Sequence, residues 1–240
     1  MRKNLLVAVV VIVGVIIYVV VAGISSSIRL EFDFGQGAQG WQAGFAEYFP
    51  QMQDMMLEAG IRTLPSELGI NATGYYVQGM NHSDDLFMFL TRRLGTDDGL
   101  VPGQEYRAVF TIAFASDAPS EAVGIGGSPG ESVYLKAGAS TVEPEVYLDS
   151  DTGYYVMNVD KGSGNSGSGT AASVVGNIAN GLSAEEDPHY ISLERQYEHE
   201  YTVNASPNGE LWLLVGTDSG FEGLTTIYYQ SIGVTLIPLR

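Results

Sequence analysis

Tyr106-Arg107-Ala108-Val109-Phe110-Thr111-Ile112-Ala113-Phe114 keeps Tyr106, Ala108, Phe110, Ile112 and Phe114 on one parity and Arg107 and Thr111 on the other. A period of two is the pattern of a half-buried strand, because successive side chains leave opposite faces. The same rhythm closes the chain, where Ile232, Val234 and Leu236 alternate with Ser231, Gly233 and Thr235 until Pro238 stops the ladder. Residues 86–90 and 211–215 are short, continuous apolar runs, as central sandwich strands have. Tyr197, His199, Tyr201 and Val203 alternate with Glu198, Glu200 and Thr202, which reads as a strand with one acidic face. Thr96-Asp97-Asp98-Gly99 and Ser150-Asp151-Thr152-Gly153 carry the composition of hairpin turns. The expectation is an all-β sandwich of antiparallel strands. One segment reads as a helix: Pro50 opens it, Met52, Met55, Met56 and Ala59 keep helical spacing, and Gly60 caps it.

Working outward, residues 5–24 form an uncharged apolar run behind Arg2 and Lys3, long enough to cross a bilayer as one helix. Two readings stand: a signal peptide cut after Val20-Val21-Ala22, or an anchor whose basic end stays inside. Both divide the chain into a leader, residues 1–27, and a single exported β-domain, residues 28–240, at the cell surface or beyond it. Gly162 to Gly169 has the Gly/Ser composition of a linker, yet strands on both sides belong to one sheet pair, so it reads as a long surface loop. The absence of cysteine excludes disulfides and lipidation at cysteine. A formal charge of −17 disfavours nucleic acid and anionic lipid, and suits cations or neutral sugars.

The first strand, residues 30–34, runs into Gly35-Gln36-Gly37-Ala38-Gln39-Gly40-Trp41, and the chain closes with Thr225-Thr226-Ile227-Tyr228-Tyr229-Gln230-Ser231-Ile232-Gly233-Val234. This pair of ends resembles the galactose-binding-like jelly rolls, a group that includes many carbohydrate-binding modules. The resemblance implies a jelly-roll sandwich whose last strand pairs near the first. That family usually has Asp where Gln230 stands, which puts its structural calcium site in doubt. Residues 81–88, 126–132 and 218–223 are similar to a group of uncharacterised exported microbial proteins, a resemblance that brings no activity with it. Val133-Tyr134-Leu135-Lys136-Ala137-Gly138 is similar to a strand of jelly-roll alginate lyases. Ser140 stands near where those enzymes have a catalytic Tyr, and their Gln-x-His is missing.

Adjacent tyrosines in a strand point to opposite faces, so each of Tyr75-Tyr76 and Tyr228-Tyr229 sends one ring outward. Parity with Val77 leaves Tyr76 outside beside Gln78, and parity with Ile232 leaves Tyr229 outside. Outward aromatics beside amides suit a sugar, whose apolar face takes the ring while its hydroxyls take the polar groups. Trp41, Tyr76, Gln78, His82 and Tyr229 are therefore the candidate ligand contacts. Asp84, Asp85, Asp218 and Glu222 are the candidate ligands of a structural calcium ion, since calcium takes several loop carboxylates. Thr217-Asp218-Ser219-Gly220 echoes a serine-protease motif without the histidine such a nucleophile needs. The function expected is carbohydrate binding at the cell envelope without catalysis. The alternatives are a structural surface subunit or adhesin, and a polysaccharide lyase.

Overall fold

The computed structural model describes residues 26–82 and 85–240. The apolar run at 5–24, with its membrane reading, lies outside those residues, as does Asp84. Among the described residues no helix is long and apolar enough to cross a membrane. The strands in chain order are β1 (Ile28–Asp33), β2 (Gln42–Ala46), β3 (Glu58–Thr63), β4 (Thr73–Met80), β5 (Phe87–Leu94), β6 (Glu105–Ser116) and β7 (Val133–Ser140). They continue as β8 (Val146–Leu148), β9 (Tyr155–Met157), β10 (Ser173–Asn177), β11 (Ile191–Glu198), β12 (Val203–Asn204), β13 (Leu211–Ser219) and β14 (Leu224–Pro238).

Two antiparallel sheets face each other. The first has the order β11-β6-β14-β4-β3, with β1 also on β14 and β12 also on β6. The second has the order β10-β7-β13-β5-β2, and β8 and β9 form a separate hairpin. The closing strand does pair with the opening one, Ile28 against Leu236 through Asp33 against Ser231. The core lies between the sheets, where Phe110, Ile112, Phe114 and Ile232 meet Met88, Leu90, Leu135 and Val215. Each such side chain contributes roughly 1.5–3 kcal/mol on leaving water. A second apolar cluster, Phe87, Phe89 and Leu214 with Ala46, Met157 and Ala172, lies on the other face of β5 and β13. These two strands are thus buried on both faces, which is why their sequences run apolar without alternation.

Three expectations are corrected. Residues 50–57 form no helix: Asp54 and Met56 take the left-handed region, φ 58° and 50°, and a right-handed helix cannot pass through them. Met55 is instead buried, its carbonyl accepting from Met80 N–H at 2.6 Å, and the chain continues into β3 alongside β4. The strand read over 197–203 is broken, because β11 ends at Glu198 and His199 turns into the interior. The third correction concerns β14. Its pairing with β6 shifts register between Tyr229 and Ser231, so the inward parity passes from Thr225, Ile227 and Tyr229 to Ile232, Val234 and Leu236. A bulge inserts one extra residue and turns every earlier side chain over. Tyr229 is therefore inside and Tyr228 outside, the reverse of the parity reading.

Candidate functional site

The bulge builds a row of tyrosines on the outer face of the first sheet. Tyr76 on β4 stands directly opposite Tyr228 on β14, their rings 5.0 Å apart and edge to face. Tyr190, the residue before β11, sets its ring perpendicular to Tyr228 at 5.4 Å. On the far side the Arg62 guanidinium of β3 lies 3.9 Å over the Tyr76 ring. Gln78 Oε1 accepts from the Tyr76 hydroxyl at 2.5 Å and from Thr226 Oγ1 at 3.3 Å. Tyr190 N–H donates to Glu67 Oε1 at 2.8 Å. A cleft of about 190 Å³ adjoins the row, lined by Asp117, Pro119, Phe221, Leu224 and Thr226 among others.

Burial sets the protonation states along this row. It pushes the Tyr190 hydroxyl well above the ordinary phenol range, and the Asp117 and Tyr228 groups push it further. It also raises Tyr228, where Tyr76 adds to the effect and Arg62 opposes it. Asp117 itself is raised by burial and by Glu67. The tyrosines are therefore neutral hydroxyls that both donate and accept, which is the pairing a polyol needs.

Of the candidate ligand contacts, Tyr76 and Gln78 belong to this assembly, with Tyr76 largely covered by Arg62 and Tyr228. His82 is exposed beyond the end of β4, its Nε2 3.4 Å from the Asp54 carbonyl. Trp41 and Tyr229 are 2 % and 1 % exposed. Trp41 packs in the core against Phe32, with ring centroids 5.6 Å apart. Neither ring offers a surface. The residues the sequence did not reveal are Tyr228, Tyr190, Arg62, Thr226 and Asp117. Tyr228 was hidden by the bulge, and the others by the absence of any motif joining four separate segments. A larger cleft, about 350 Å³, opens near Ser140, Asn158, Asp160 and Asn204, but no aromatic side chain lines it.

The acidic candidates divide differently. Asp85 and Asp218 come together, bridged by Asn165 Nδ2, which is 3.3 Å from Asp85 Oδ1 and 3.4 Å from Asp218 Oδ1. Glu222 is elsewhere, its backbone N–H bonded to the Ile125 carbonyl. Asp218 is fully buried, and its Oδ2 lies 2.8 Å from both Lys136 Nζ and Lys161 Nζ. Two ammonium groups already neutralise this carboxylate and repel a divalent cation. Among the described residues no three metal-ligating side chains converge. Burial lifts Asp85 to about 8, with Lys161 opposing and Asp218 and Glu47 adding to the rise. The Gly/Ser segment closes over this cluster, since Lys136 Nζ also donates to the Lys161 and Gly164 carbonyls at 3.0 and 3.3 Å. Lys136, the residue that carries the lyase resemblance, is thus sealed from any open groove. Ser219, in the protease-like tetrad, is buried with its hydroxyl on the Phe221 carbonyl.

No family model matches this sequence, and no curated protein matches it. Similar solved structures include a carbohydrate-binding module of the β-sandwich superfamily with promiscuous specificity, at 12 % identity over 87 % of this chain and TM-score 0.40. The chain spans 61 % of the length of that structure. A cleaved adhesin domain of Lys-gingipain from Porphyromonas gingivalis has 11 % identity over 86 % of this chain and 96 % of its own, with TM-score 0.40. A module from Caldicellulosiruptor saccharolyticus in complex with mannohexaose has 8 % identity over 85 % and 95 %, with TM-score 0.39. Likeness of this depth is silent on ligands, and the sandwich architecture stands on the strand pairing described above.

Proposed function

We propose that this protein is an exported, non-catalytic carbohydrate-binding sandwich of the jelly-roll type, and that it takes its ligand on the tyrosine row of the outer sheet. The observation that carries this reading is the convergence of half-buried Tyr228 and Tyr190 with Gln78, Thr226, Arg62 and Asp117 beside a cleft of about 190 Å³. A pyranose has an apolar face for a ring and an equatorial belt of hydroxyls for amide, hydroxyl and carboxyl partners. The cleft suits one sugar ring at the end of a chain. Tyr76 acts by holding Tyr228 in place. The apolar run at 5–24 supports placing the protein beyond the cytoplasmic membrane, where glycans are met.

The test is affinity electrophoresis of the full chain through a panel of polysaccharides, followed by titration against the best retarding one. Tyr228→Ala should weaken binding roughly tenfold or more, as loss of an aromatic anchor does. Tyr147→Ala, on an exposed position of the β8–β9 hairpin, should leave it unchanged. Absence of retardation by every glycan, or undiminished binding by Tyr228→Ala, would overturn the proposal.

A further inference from the structure

The Lys136–Asp218 pair has the features of a reaction site closed inside the fold. Both side chains are completely buried, with Nζ 2.8 Å from Oδ2. They project from neighbouring strands on the same face, since Lys136 on β7 pairs with Gly216 on β13, two residues before Asp218. Taking two opposite charges out of water is costly, and a dry site narrows the gap between an ion pair and a neutral amine–acid pair. Burial pushes the Lys136 amine below its ordinary range, against the opposing pull of Asp218.

We propose that Lys136 and Asp218 are joined by an intramolecular amide bond that the folded chain makes by itself. The Lys136 ammonium first passes one proton to the Asp218 carboxylate along their hydrogen bond. The two remaining N–H groups stay on the Lys161 and Gly164 carbonyls, so the freed lone pair faces the Asp218 carboxyl. Nζ then attacks Cγ, forming the C–N bond. Negative charge on the carboxyl oxygens is stabilised by the Lys161 ammonium at 2.8 Å and by Asn165 Nδ2 at 3.4 Å. Nζ gives up a second proton, relayed to the departing hydroxyl, and one water leaves as the C–O bond breaks. The three ammonium hydrogens are thereby accounted for: one on the amide and two in water.

The neighbours have complementary roles. Lys161 stays cationic: burial lowers its amine, but Asp218, Glu47 and Asp85 outweigh this and the net shift is upward. It is therefore the electrostatic partner and not the nucleophile. Asp85 is held as a carboxylic acid up to about pH 8 and shares Asn165 Nδ2 with Asp218, so it orients that amide on the reacting carboxyl without adding a second negative charge beside it. Phe87, with Lys161 Nζ 5.4 Å from its ring, helps keep water out.

Mass spectrometry of the purified full chain tests this at peptide level, so that removal of a leader does not affect the result. The digest should contain a branched peptide joining residues 136 and 218, about 18 Da lighter than its two parts. Lys136→Arg should release both peptides at full mass. Asp218→Asn should restore the same branched product with loss of ammonia, about 17 Da, and serves where other variants fold poorly. Asp85→Ala, which releases one partner of Asn165, should lower the branched fraction in a folded protein. Separate peptides of full mass from the folded wild type would overturn the proposal. So would a branch at Lys161, or a mass deficit confined to Asp218-Ser219 as a cyclic imide.

Discussion

His199 is buried, and its surroundings define its chemistry closely. The Thr170 carbonyl can only accept, which fixes the neutral ring's tautomer: Nδ1 accepts the Ser173 hydroxyl at 2.7 Å, and Ser173 Oγ accepts Glu200 N–H at 3.0 Å. The remaining ring nitrogen, Nε2, then carries the hydrogen and donates to the Thr170 carbonyl at 3.1 Å. Ser173 is fully buried, so this serine–histidine contact is an internal pin that no substrate reaches. Burial depresses the imidazole below its ordinary 6.5, with Thr170 and Glu200 opposing. The unfolded chain therefore takes up a proton before the folded one does. The stabilisation is complete above 6.5 and declines as pH falls below it. Because the raised carboxyls of Asp85 and Asp117 gain stability on acidification in every variant, the His199 contribution is read as a difference: the urea midpoint of the wild type minus that of His199→Gln should shrink between about pH 7.5 and pH 5. His199→Ala should cost about 2 kcal/mol at neutral pH, through a cavity and a stranded Ser173. At this scale the sequence was least legible. Tyr229 read as a ligand contact through parity with Ile232, which the bulge inverts, and the direction of Trp41 depends on packing against Phe32 and Phe34 that its own segment does not reveal.

Among the elements, the Gly/Ser segment departs furthest from its composition. A linker is rich in glycine for freedom, but these glycines permit contact. A Cβ on Gly169 would overlap Gly162 N and the Asp160 carboxylate, and one on Gly162 would overlap the Gly167 carbonyl. Asp160 gathers the Gly162 N–H at 3.0 Å and the Thr170 N–H at 2.9 Å, which holds the segment as a cap over Lys136. Gly169→Ala should destabilise the protein by about 1–3 kcal/mol in chemical denaturation, as overpacking does. Gly95→Ala, where φ is −140° and nothing lies near the added carbon, should stay within about 0.5 kcal/mol. Strand existence was readable here, because β6 and the end of β14 keep strict alternation. The bulge near Gln230 was not, since one extra residue leaves no mark in a hydrophobic pattern that resumes two residues later.

For the whole molecule, the period-two patterns and turn residues were enough for two stacked antiparallel sheets, and the resemblance anticipated the pairing of first and last strands. The candidate site was only half visible. Tyr76 and Gln78 sit two apart on one strand and could be found by parity, whereas Arg62, Asp117, Tyr190 and Tyr228 come from four segments that only the fold brings side by side. The β1–β14 ladder has a practical corollary: Ile28 lies against Leu236, so the two ends of the sandwich leave it at neighbouring points. A glycine–serine bridge of about five residues can span that gap, and the tip at Asp151-Thr152 is exposed. Circular permutants opened at Asp151 should keep the parent far-UV spectrum and melt within several degrees of it. The order in which the strands leave the ribosome is then separable from the architecture they reach.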